Sequence, residues 1–255
     1  MNHPPAIKLS HISKIYANGT VALKDLNLAI PEAQFVSLVG SSGCGKSTVL
    51  RLIAGLGQMS SGTIDWGLPA QARKLAFVFQ DAALMPWANV KENVRLPLKL
   101  AKVAVKDAES LVEKTLALVG LEKCQHSYPR ELSGGMKMRV SIARALVTQP
   151  NILLMDEPFG ALDEITRSKL NSDLLDLWDQ QRWTVVFVTH NIYEAVYLSN
   201  RVLVMGTNPG RVVADIEIAA PYPRNDSFRT SSVYMEYCRE VSQALAIAMD
   251  YSNSI

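Results

Sequence analysis

The feature that most constrains this chain is a glycine-rich loop set between a strand and a helix. An apolar run at residues 35–39 precedes the loop, and Val49 and Ile53 follow at the spacing of one helix face. Glycine permits backbone conformations with positive φ, so successive N–H groups can converge on a phosphate at a helix N-terminus. Lys46 is expected to reach the terminal phosphates and Ser47 to reach a magnesium ion. The predicted phosphate loop consists of Gly40, Ser41, Ser42, Gly43, Cys44, Gly45, Lys46, Ser47 and Thr48.

Two carboxylates follow a second apolar run. Residues 152–155 are apolar, and Asp156 and Glu157 come next, before Pro158 breaks the predicted strand. Downstream of a phosphate loop, Asp156 can order the shell of a magnesium ion while Glu157 polarises the attacking water. Solvated surface charge is the weaker explanation, because an apolar strand directs the pair inward. The two motifs predict binding of a nucleoside triphosphate, but the loop alone does not separate kinases, GTPases, helicases and transport ATPases.

Three further signals are weak when each is taken alone. Tyr16 precedes a turn and can stack on a base, although a half-buried strand aromatic is the better explanation when this residue is taken alone. Gln80 ends a short apolar strand and can face a site, but it can also be an exposed loop residue. Ser133 is suited to cap a helix, and Gly134 and Gly135 leave room for an anion at the helix start. An ordinary capped helix is the simpler explanation there.

Asp163 and His190 each stand at the end of a predicted element. Asp163 is expected to cap a helix that carries Leu170 and Leu174 on its apolar side. Residues 184–189 are predicted to form a buried strand that delivers His190. A lone histidine in such a place is more often structural than catalytic.

The remaining periodicity predicts a mixture of strands and helices. The predicted elements are strands within residues 7–30 around a turn at 18–19, a loop at 60–62, a strand at 76–79, helices within 90–146, a strand at 202–205, a turn at 208–210 and a C-terminal helix.

Composition limits the environment and the partners. The 255 residues are 48% hydrophobic, enough for a full core. A net charge of +2 predicts no electrostatic affinity for nucleic acid or anionic lipid. Three scattered cysteines predict neither disulfides nor a metal site and suit a reducing cytoplasm. No export signal or membrane span is predicted, so we expect a chain that is soluble by itself.

The order of these motifs is much more specific than any one of them. The phosphate loop, Gln80, LSGGMKMR, LLMDEP, GALD and VTH resemble, motif by motif, the nucleotide-binding subunit of ABC transporters over residues 7–205. The resemblance implies an α/β fold: a P-loop NTPase core with a mainly parallel sheet, an N-terminal antiparallel β part and an inserted α-helical subdomain. It implies one ABC-type ATPase domain, with its core at 7–80 and 150–205, the insert at 81–149 and an extension at 206–255.

The resemblance also implies a role for each motif. ATP and Mg²⁺ are the implied cofactors, with Tyr16 stacked on adenine and Ser47, Gln80 and Asp156 around the metal. Glu157, His190, Gln80 and Lys46 form the implied catalytic set, in which His190 contacts the γ-phosphate and the attacking water. Ser133, Gly134 and Gly135 form the signature loop that closes on the other subunit's nucleotide, and Asp163 lies at that interface. Met138 departs from the glutamine usual at its position.

The implied working unit is a head-to-tail dimer of two copies around two ATP molecules. The segment FQDAALMPWANVKENV at 79–94, with NPGRVV, resembles the importer branch for nitrate, sulfonate or taurine. This implies a peripheral subunit on the cytoplasmic face of the membrane, docked to a permease near residues 80–87. An extracytoplasmic solute-binding protein would be an indirect partner. The alternatives are a soluble ABC-type ATPase in a non-transport process and an ATP-gated docking protein without turnover.

Overall fold

A six-stranded sheet forms the centre of the computed structural model, which describes residues 5–253 and the side chains of residues 5–249. The strand order is β5-β6-β7-β3-β8-β9, and every neighbouring pair is parallel except β8 and β9. Apolar residues fill both faces of the inner strands, as expected for a parallel sheet covered on both sides. The strands are β3 (Phe35–Gly40), β5 (Leu75–Val78), β6 (Ile152–Asp156), β7 (Thr184–Thr189), β8 (Arg201–Gly206) and β9 (Arg211–Glu217).

The parallel strands bring the predicted motifs to one edge of this sheet. Strand β3 ends at Gly40, β6 at Asp156 and β7 at Thr189, and these strands are direct neighbours in the order β6-β7-β3. Parallel strands place their carboxyl ends at the same edge, where open α/β sheets bind ligands. The phosphate loop, the carboxylate pair and His190 therefore leave the sheet side by side.

A three-stranded antiparallel sheet packs beside this core in the order β2-β1-β4. Its strands are β1 (Ile7–Ile15), β2 (Val21–Ile30) and β4 (Ser61–Trp66). The expected loop at 60–62 is wrong in part, because Ser61 already begins β4. Gly62 has a φ of +99°, and a Cβ there would lie 2.5 Å from the carbonyl oxygen of His11. The glycine marks close strand approach and not a loop.

Eight helices and three short 3₁₀ turns complete the described residues. The predicted helical stretch contains α2, α3 and α4, which lie between β5 and β6 in the chain. Gly120, with a φ of +68°, follows the end of α3 as expected for a helix terminator. The helices are α1 (Lys46–Ile53), α2 (Val90–Leu100), α3 (Val105–Leu118), α4 (Gly134–Leu146), α5 (Glu164–Gln181), α6 (Ile192–Leu198), α7 (Asp226–Arg229) and α8 (Ser232–Asn253).

The mainly parallel core, the antiparallel part and the inserted helices confirm the expected fold class. Apolar residues form two clusters, one on each face of the six-stranded sheet. One cluster packs α1 and the antiparallel sheet against the core, and the other packs α2 to α6 and α8. Met138 belongs to the second cluster and is buried. None of the helices within residues 5–253 is long and apolar enough to cross a membrane.

Strand β9 and the connection at residues 218–225 were not predicted, whereas the predicted C-terminal helix is present as α8. Arg224 joins this segment to the core and is only 3% exposed. Its guanidinium donates to the carbonyls of Val196, Tyr197 and Ser199 at distances of 2.9 to 3.0 Å, around the end of α6. A cation at a helix C-terminus is favourable, because the last carbonyls carry partial negative charge. The C-terminal segment is thus attached to the helix that follows His190.

Candidate active site

A pocket of about 540 Å³ opens at the carboxyl edge of the sheet. It combines residues from the phosphate loop, from the first two strands and from the ends of β5, β6 and β8. Its lining residues are Tyr16, Thr20, Val21, Ala22, Ser42, Gly43, Gly45, Lys46, Ser47, Thr48, Gln80, Glu157, Asn208 and Gly210.

Lys46 begins helix α1 and lies almost buried at the base of this pocket, with 6% of its surface exposed. Its ammonium nitrogen donates to the carbonyl oxygens of Gly40 and Ser41, at 2.9 and 3.0 Å. These contacts hold the positive charge inside the loop. The third donor of the ammonium group points to the Cys44 sulfur at 3.8 Å, a weak contact that a phosphate oxygen can replace. The carbonyls of Gly40 and Ser41 therefore position the Lys46 side chain, and neither residue lines the pocket itself.

Gly45 supplies the close approach that the loop requires. Its φ is +95°, and an added Cβ would lie 2.6 Å from the side chain of Leu23. Gly210 approaches the loop from behind, where a Cβ would lie 2.4 Å from the carbonyl of Cys44. Side chains at either position would push the loop away from its supports.

Cys44 contributes backbone to the loop, while its side chain lies outside the pocket. The thiol is completely buried, and a Cβ on Gly40 would meet its sulfur at 2.6 Å. Burial raises the pKa of the Cys44 thiol above its usual value. Cys44 is therefore a packing residue of the loop and a poor target for thiol reagents.

Ser47 and Asp156 meet although 109 residues separate them in the chain. The hydroxyl of Ser47 donates to Oδ1 of Asp156 at 2.8 Å. Asp156 is 8% exposed, and desolvation raises the pKa of its carboxyl group despite this hydrogen bond. A buried carboxylate beside a hydroxyl suits a hard divalent cation, which prefers oxygen ligands and offsets the cost of burial. These residues fit the expected Mg²⁺ site.

Glu157 follows Asp156 with a φ of +46°, a left-handed conformation that is uncommon outside glycine. Its N–H donates to the carbonyl of Val188 at 2.9 Å, which ties it to the neighbouring strand. Nδ1 of His190 lies 3.0 Å from Oε2 of Glu157. Gly160 packs over both, since a Cβ there would lie 3.5 Å from the His190 ring. The strained turn thus presents one carboxylate oxygen to the histidine.

Tyr16 and Gln80 both reach the pocket from exposed positions. The Tyr16 hydroxyl lies 3.3 Å from Oγ1 of Thr48, and 42% of the residue's surface is exposed. An exposed ring at the pocket rim is available for stacking on a base. Gln80 follows β5 and lies in the same pocket as Glu157.

Ser133, Gly134, Gly135 and Asp163 belong to a different surface and do not line this pocket. Ser133 caps α4 and accepts from the Met136 N–H at 3.3 Å. Asp163 caps α5 by accepting from the backbone N–H of the third residue of that helix at 2.9 Å, and this bond holds its pKa below the usual value.

The N-termini of α4 and α5, which form this surface, are packed against each other. A Cβ on Gly134 would lie 3.2 Å from Leu162, and one on Gly135 would lie 2.6 Å from Thr166. Close packing at these glycines brings the caps Ser133 and Asp163 onto one face.

Sequence reasoning missed part of the pocket wall. Thr20, Val21 and Ala22 line it from the start of β2, and Asn208 and Gly210 line it from the turn after β8. The turn was predicted, but nothing local to it indicates that it supports the phosphate loop. Only long-range sheet topology brings these segments together.

More than half of the chain matches one known protein family. Residues 23–160 match the ABC transporter family. The chain belongs to this family. The ABC subunit is 42% identical over 243 residues to the aliphatic sulfonates import ATP-binding protein SsuB of Bacillus cereus, covering 93% of this chain and 94% of that protein.

Solved structures agree with this assignment. The dimeric ATP-binding cassette MJ0796, in a post-hydrolysis state bound to ADP and Pi, is similar with a TM-score of 0.73 and 33% identity over 84% of this chain and 100% of that chain. CbiO1 of Clostridium perfringens, part of the ABC transporter complex cbiONQ, has a TM-score of 0.78 and 25% identity over 96% of this chain and 98% of that chain. The ABC subunit is an ATPase of the sulfonate-type branch, which confirms the resemblance drawn from its motifs.

Proposed function

We propose that this ABC subunit energises import of an aliphatic sulfonate, or of a related solute such as taurine or nitrate, through a separate permease. One observation carries the proposal. Gln80 lines the nucleotide pocket, and an exposed groove begins only five residues later in the chain, at Met85. The name of the Bacillus cereus relative supports the solute class. The subunit acts peripherally, at the cytoplasmic face of the membrane, and a solute-binding protein outside delivers the substrate.

Hydrolysis starts from the Glu157 and His190 pair. The carboxylate of Glu157 accepts a proton from the attacking water. In the tautomer that this step requires, the N–H at Nδ1 of His190 donates a hydrogen bond to Oε2 of Glu157 and keeps its proton. This bond orients the carboxylate. The side chain of His190 is 60% exposed and lies beside the pocket without lining it. Lys46 stabilises the negative charge of the terminal phosphates.

Ser47, Asp156 and Gln80 would hold Mg²⁺. When bound, the metal neutralises phosphate charge and aligns the terminal phosphate for attack. Ser47 and Asp156 are already joined by their hydrogen bond, so two oxygen ligands are preorganised. Gln80, which lines the same pocket as Ser47, would join them from the segment that leads to the groove.

The active unit in this proposal is a head-to-tail dimer. Ser133 and Gly134 are exposed at the start of the 13-residue helix α4, whose N-terminus carries partial positive charge. Neither residue lines this chain's own pocket. A second copy related by a two-fold axis would bring its Ser133 surface over the nucleotide, so each site takes residues from both copies. The dimer of MJ0796 supports this arrangement.

The proposed docking groove has a volume of about 360 Å³ and lies along the whole length of α2, from Glu92 to Lys99. Asn93 is fully buried beneath it, accepts from the Met85 N–H at 2.8 Å and donates to the Ala88 carbonyl at 2.9 Å. Trp87 stands out from this fixed turn with 76% of its surface exposed. An exposed tryptophan on a rigid turn is suited to anchor a partner helix. The groove is lined by Met85, Trp87, Ala88, Glu92, Arg95, Leu96 and Lys99.

Arg144 connects the segment between Gln80 and this groove to α4. Its guanidinium donates to the carbonyls of Ala82 and Ala83, at 2.7 and 2.8 Å, just after Gln80. Arg144 lies in the last turn of α4, and Ser133 caps the first. Movement of residues 80–83 is therefore expected to move α4. This movement would couple the nucleotide bound in the pocket to the permease docked at the groove.

Replacing Trp87 with alanine tests the docking groove. We expect docking to weaken by about 2 kcal/mol or more, which is roughly thirtyfold in affinity, because an exposed aromatic anchor is lost. The melting temperature of the isolated subunit should change little, since the side chain is mostly exposed. Melting of the purified variant is measured beside its recovery with membranes that contain the permease.

Trp66→Ala is the matched control for this experiment. Trp66 is half-buried on β4 and packs against the guanidinium of Arg73 at 4.7 Å, away from the groove. This variant should melt earlier and still dock. A Trp87→Ala subunit that melts early, or that docks as tightly as wild type, rules out Trp87 as an anchor.

Growth experiments test the solute class in the organism that encodes the chain. A strain lacking the subunit should fail to grow on an aliphatic sulfonate as sole sulfur source and should grow normally on sulfate. Wild-type subunit restores growth, whereas Glu157→Gln does not. Unimpaired growth on sulfonates and taurine, with a defect on nitrate as sole nitrogen source, would move the proposal to nitrate. Unimpaired growth on all three solutes would contradict it.

A further inference from the structure

Glu194 is a buried carboxylate that the hydrolysis mechanism does not use. It lies on α6 and is 4% exposed. Its Oε2 accepts from the hydroxyl of Thr189 at 2.5 Å, whereas Oε1 has no hydrogen bond within residues 5–253. Desolvation raises the pKa of this carboxyl group, although Thr189, Asn171 and the charge of Arg167 act in the opposite direction. A carboxylate is costly to bury without full pairing, so its position calls for a functional explanation.

The bonds of Glu194 enclose the turn that carries His190. Oγ1 of Thr189 accepts from the Asn191 N–H at 3.0 Å while donating to Glu194. Oδ1 of Asn191 accepts from the Glu194 N–H at 3.2 Å. Both neighbours of His190 are thereby fixed by one closed set of three hydrogen bonds. The imidazole itself projects from this turn toward Glu157.

Arg167 fixes the Glu157 side of the contact between His190 and Glu157. Its guanidinium donates to the carbonyls of Phe159 and Leu162, at 3.2 and 2.6 Å, in the segment that follows Glu157. The positive charge of Arg167 also acts favourably on the Glu194 carboxylate. Glu194 thus fixes the turn before α6, and Arg167, which pairs with Glu164 at 2.8 Å, fixes the loop after Glu157.

A small cavity of about 220 Å³ is lined by both Glu194 and Arg167. Arg229, from the C-terminal segment, forms part of its wall. The Arg229 guanidinium donates to the Ser168 carbonyl and to the Ser172 hydroxyl on α5, at 3.0 and 3.1 Å. It also lies 3.8 Å from the ring centroid of Tyr197 on α6. These contacts keep α5 and α6 in fixed relation on both sides of the cavity.

We propose that Glu194 and Thr189 are positioning residues that orient His190 toward Glu157. This inference rests on the roles proposed above for His190 and Glu157. The Thr189 hydroxyl is the critical atom, because it joins the Glu194 carboxylate to the backbone of Asn191. Without it, the turn can rotate and the 3.0 Å contact between His190 and Glu157 is no longer fixed.

Thr189→Val tests this inference, because valine keeps the β-branched shape in a buried strand and removes only the hydroxyl. We expect kcat for ATP hydrolysis to fall about tenfold, since small displacements of catalytic groups have large effects on rate. KM for ATP should stay within about twofold, because the phosphate loop is untouched. Thr189→Ser, which retains the hydroxyl, should restore kcat to within about twofold of wild type.

A double-mutant cycle separates positioning from general loss of structure. In a His190→Ala background, Thr189→Val should cause no further fall in kcat, because the group that it positions is absent. An equal fall in both backgrounds, or wild-type kcat in Thr189→Val, overturns the inference. Normal hydrolysis by His190→Ala would instead overturn the proposed role of His190. If Thr189→Val does not fold, Glu194→Gln takes its place in the same cycle, with the same expected outcomes.

Discussion

Glu157→Gln should hydrolyse ATP at least about a hundredfold more slowly than wild type while still binding it, because the amide cannot accept the proton of the attacking water. The substitution keeps the size of the side chain, and its oxygen can still accept from His190. Affinity for ATP should change by less than about threefold. Phosphate release in Mg-ATP and binding of a fluorescent ATP analogue provide the two measurements.

Glu240→Gln is the control for this change. Glu240 is an exposed residue of α8, and its replacement should leave phosphate release unchanged. Turnover by Glu157→Gln within a few fold of wild type would show that another group accepts the proton. The left-handed turn at residue 157 would then need an explanation other than catalysis.

Lys46→Ala should abolish detectable hydrolysis and weaken ATP binding as well. Loss of one charged donor to the terminal phosphates costs about 2 kcal/mol, or roughly thirtyfold in Kd. The carbonyls of Gly40 and Ser41 also lose their donor, so the loop itself becomes less ordered. Isothermal titration with ATP measures the loss of binding, and a phosphate-release assay measures the loss of hydrolysis.

Lys106→Ala is the matched control, because Lys106 is exposed on α3 in the inserted helices. It should bind and hydrolyse ATP as wild type does. Near-normal turnover by Lys46→Ala would contradict the assignment of the phosphate loop. Normal binding with no turnover would limit Lys46 to stabilisation of the transition state.

The placement of the site residues could be predicted because these residues follow strong local patterns. Apolar runs end at Gly40, Asp156 and Thr189, and parallel strands necessarily place such ends at one edge. The N-caps Ser133 and Asp163 were likewise readable, because a small polar residue before an apolar helical pattern has a local physical cause. Pairing of Ser47 with Asp156 follows once these strands are neighbours.

The parts that sequence reasoning missed depend on distant segments. Strand β4 carries only two large apolar residues, Ile64 and Trp66, and its pairing with β1 determines its conformation. Strand β9 follows a turn whose Gly210 packs against the phosphate loop, a contact with no local signal. Burial of Cys44 is set in the same way by the sheet edge beneath it.

Trp87 shows a different limit of sequence reasoning. A tryptophan after a buried strand is compatible with a core position or with a partner surface, and most tryptophans are largely buried. The turn held by Asn93 leaves this one 76% exposed. Its exposure depends on backbone geometry that hydrophobic periodicity does not describe.

Size-exclusion chromatography with light scattering in Mg-ATP tests most directly the claim that each nucleotide site is formed by residues of both copies. Glu157→Gln should elute as a dimer with ATP bound, because each nucleotide joins the phosphate loop of one copy to the Ser133 surface of the other. Glu157→Gln combined with Ser133→Arg should bind ATP and remain a monomer, since bulk and charge then enter a tightly packed helix start. A Glu157→Gln protein that is strictly monomeric with ATP demonstrably bound, or a double variant that still dimerises, would contradict the account.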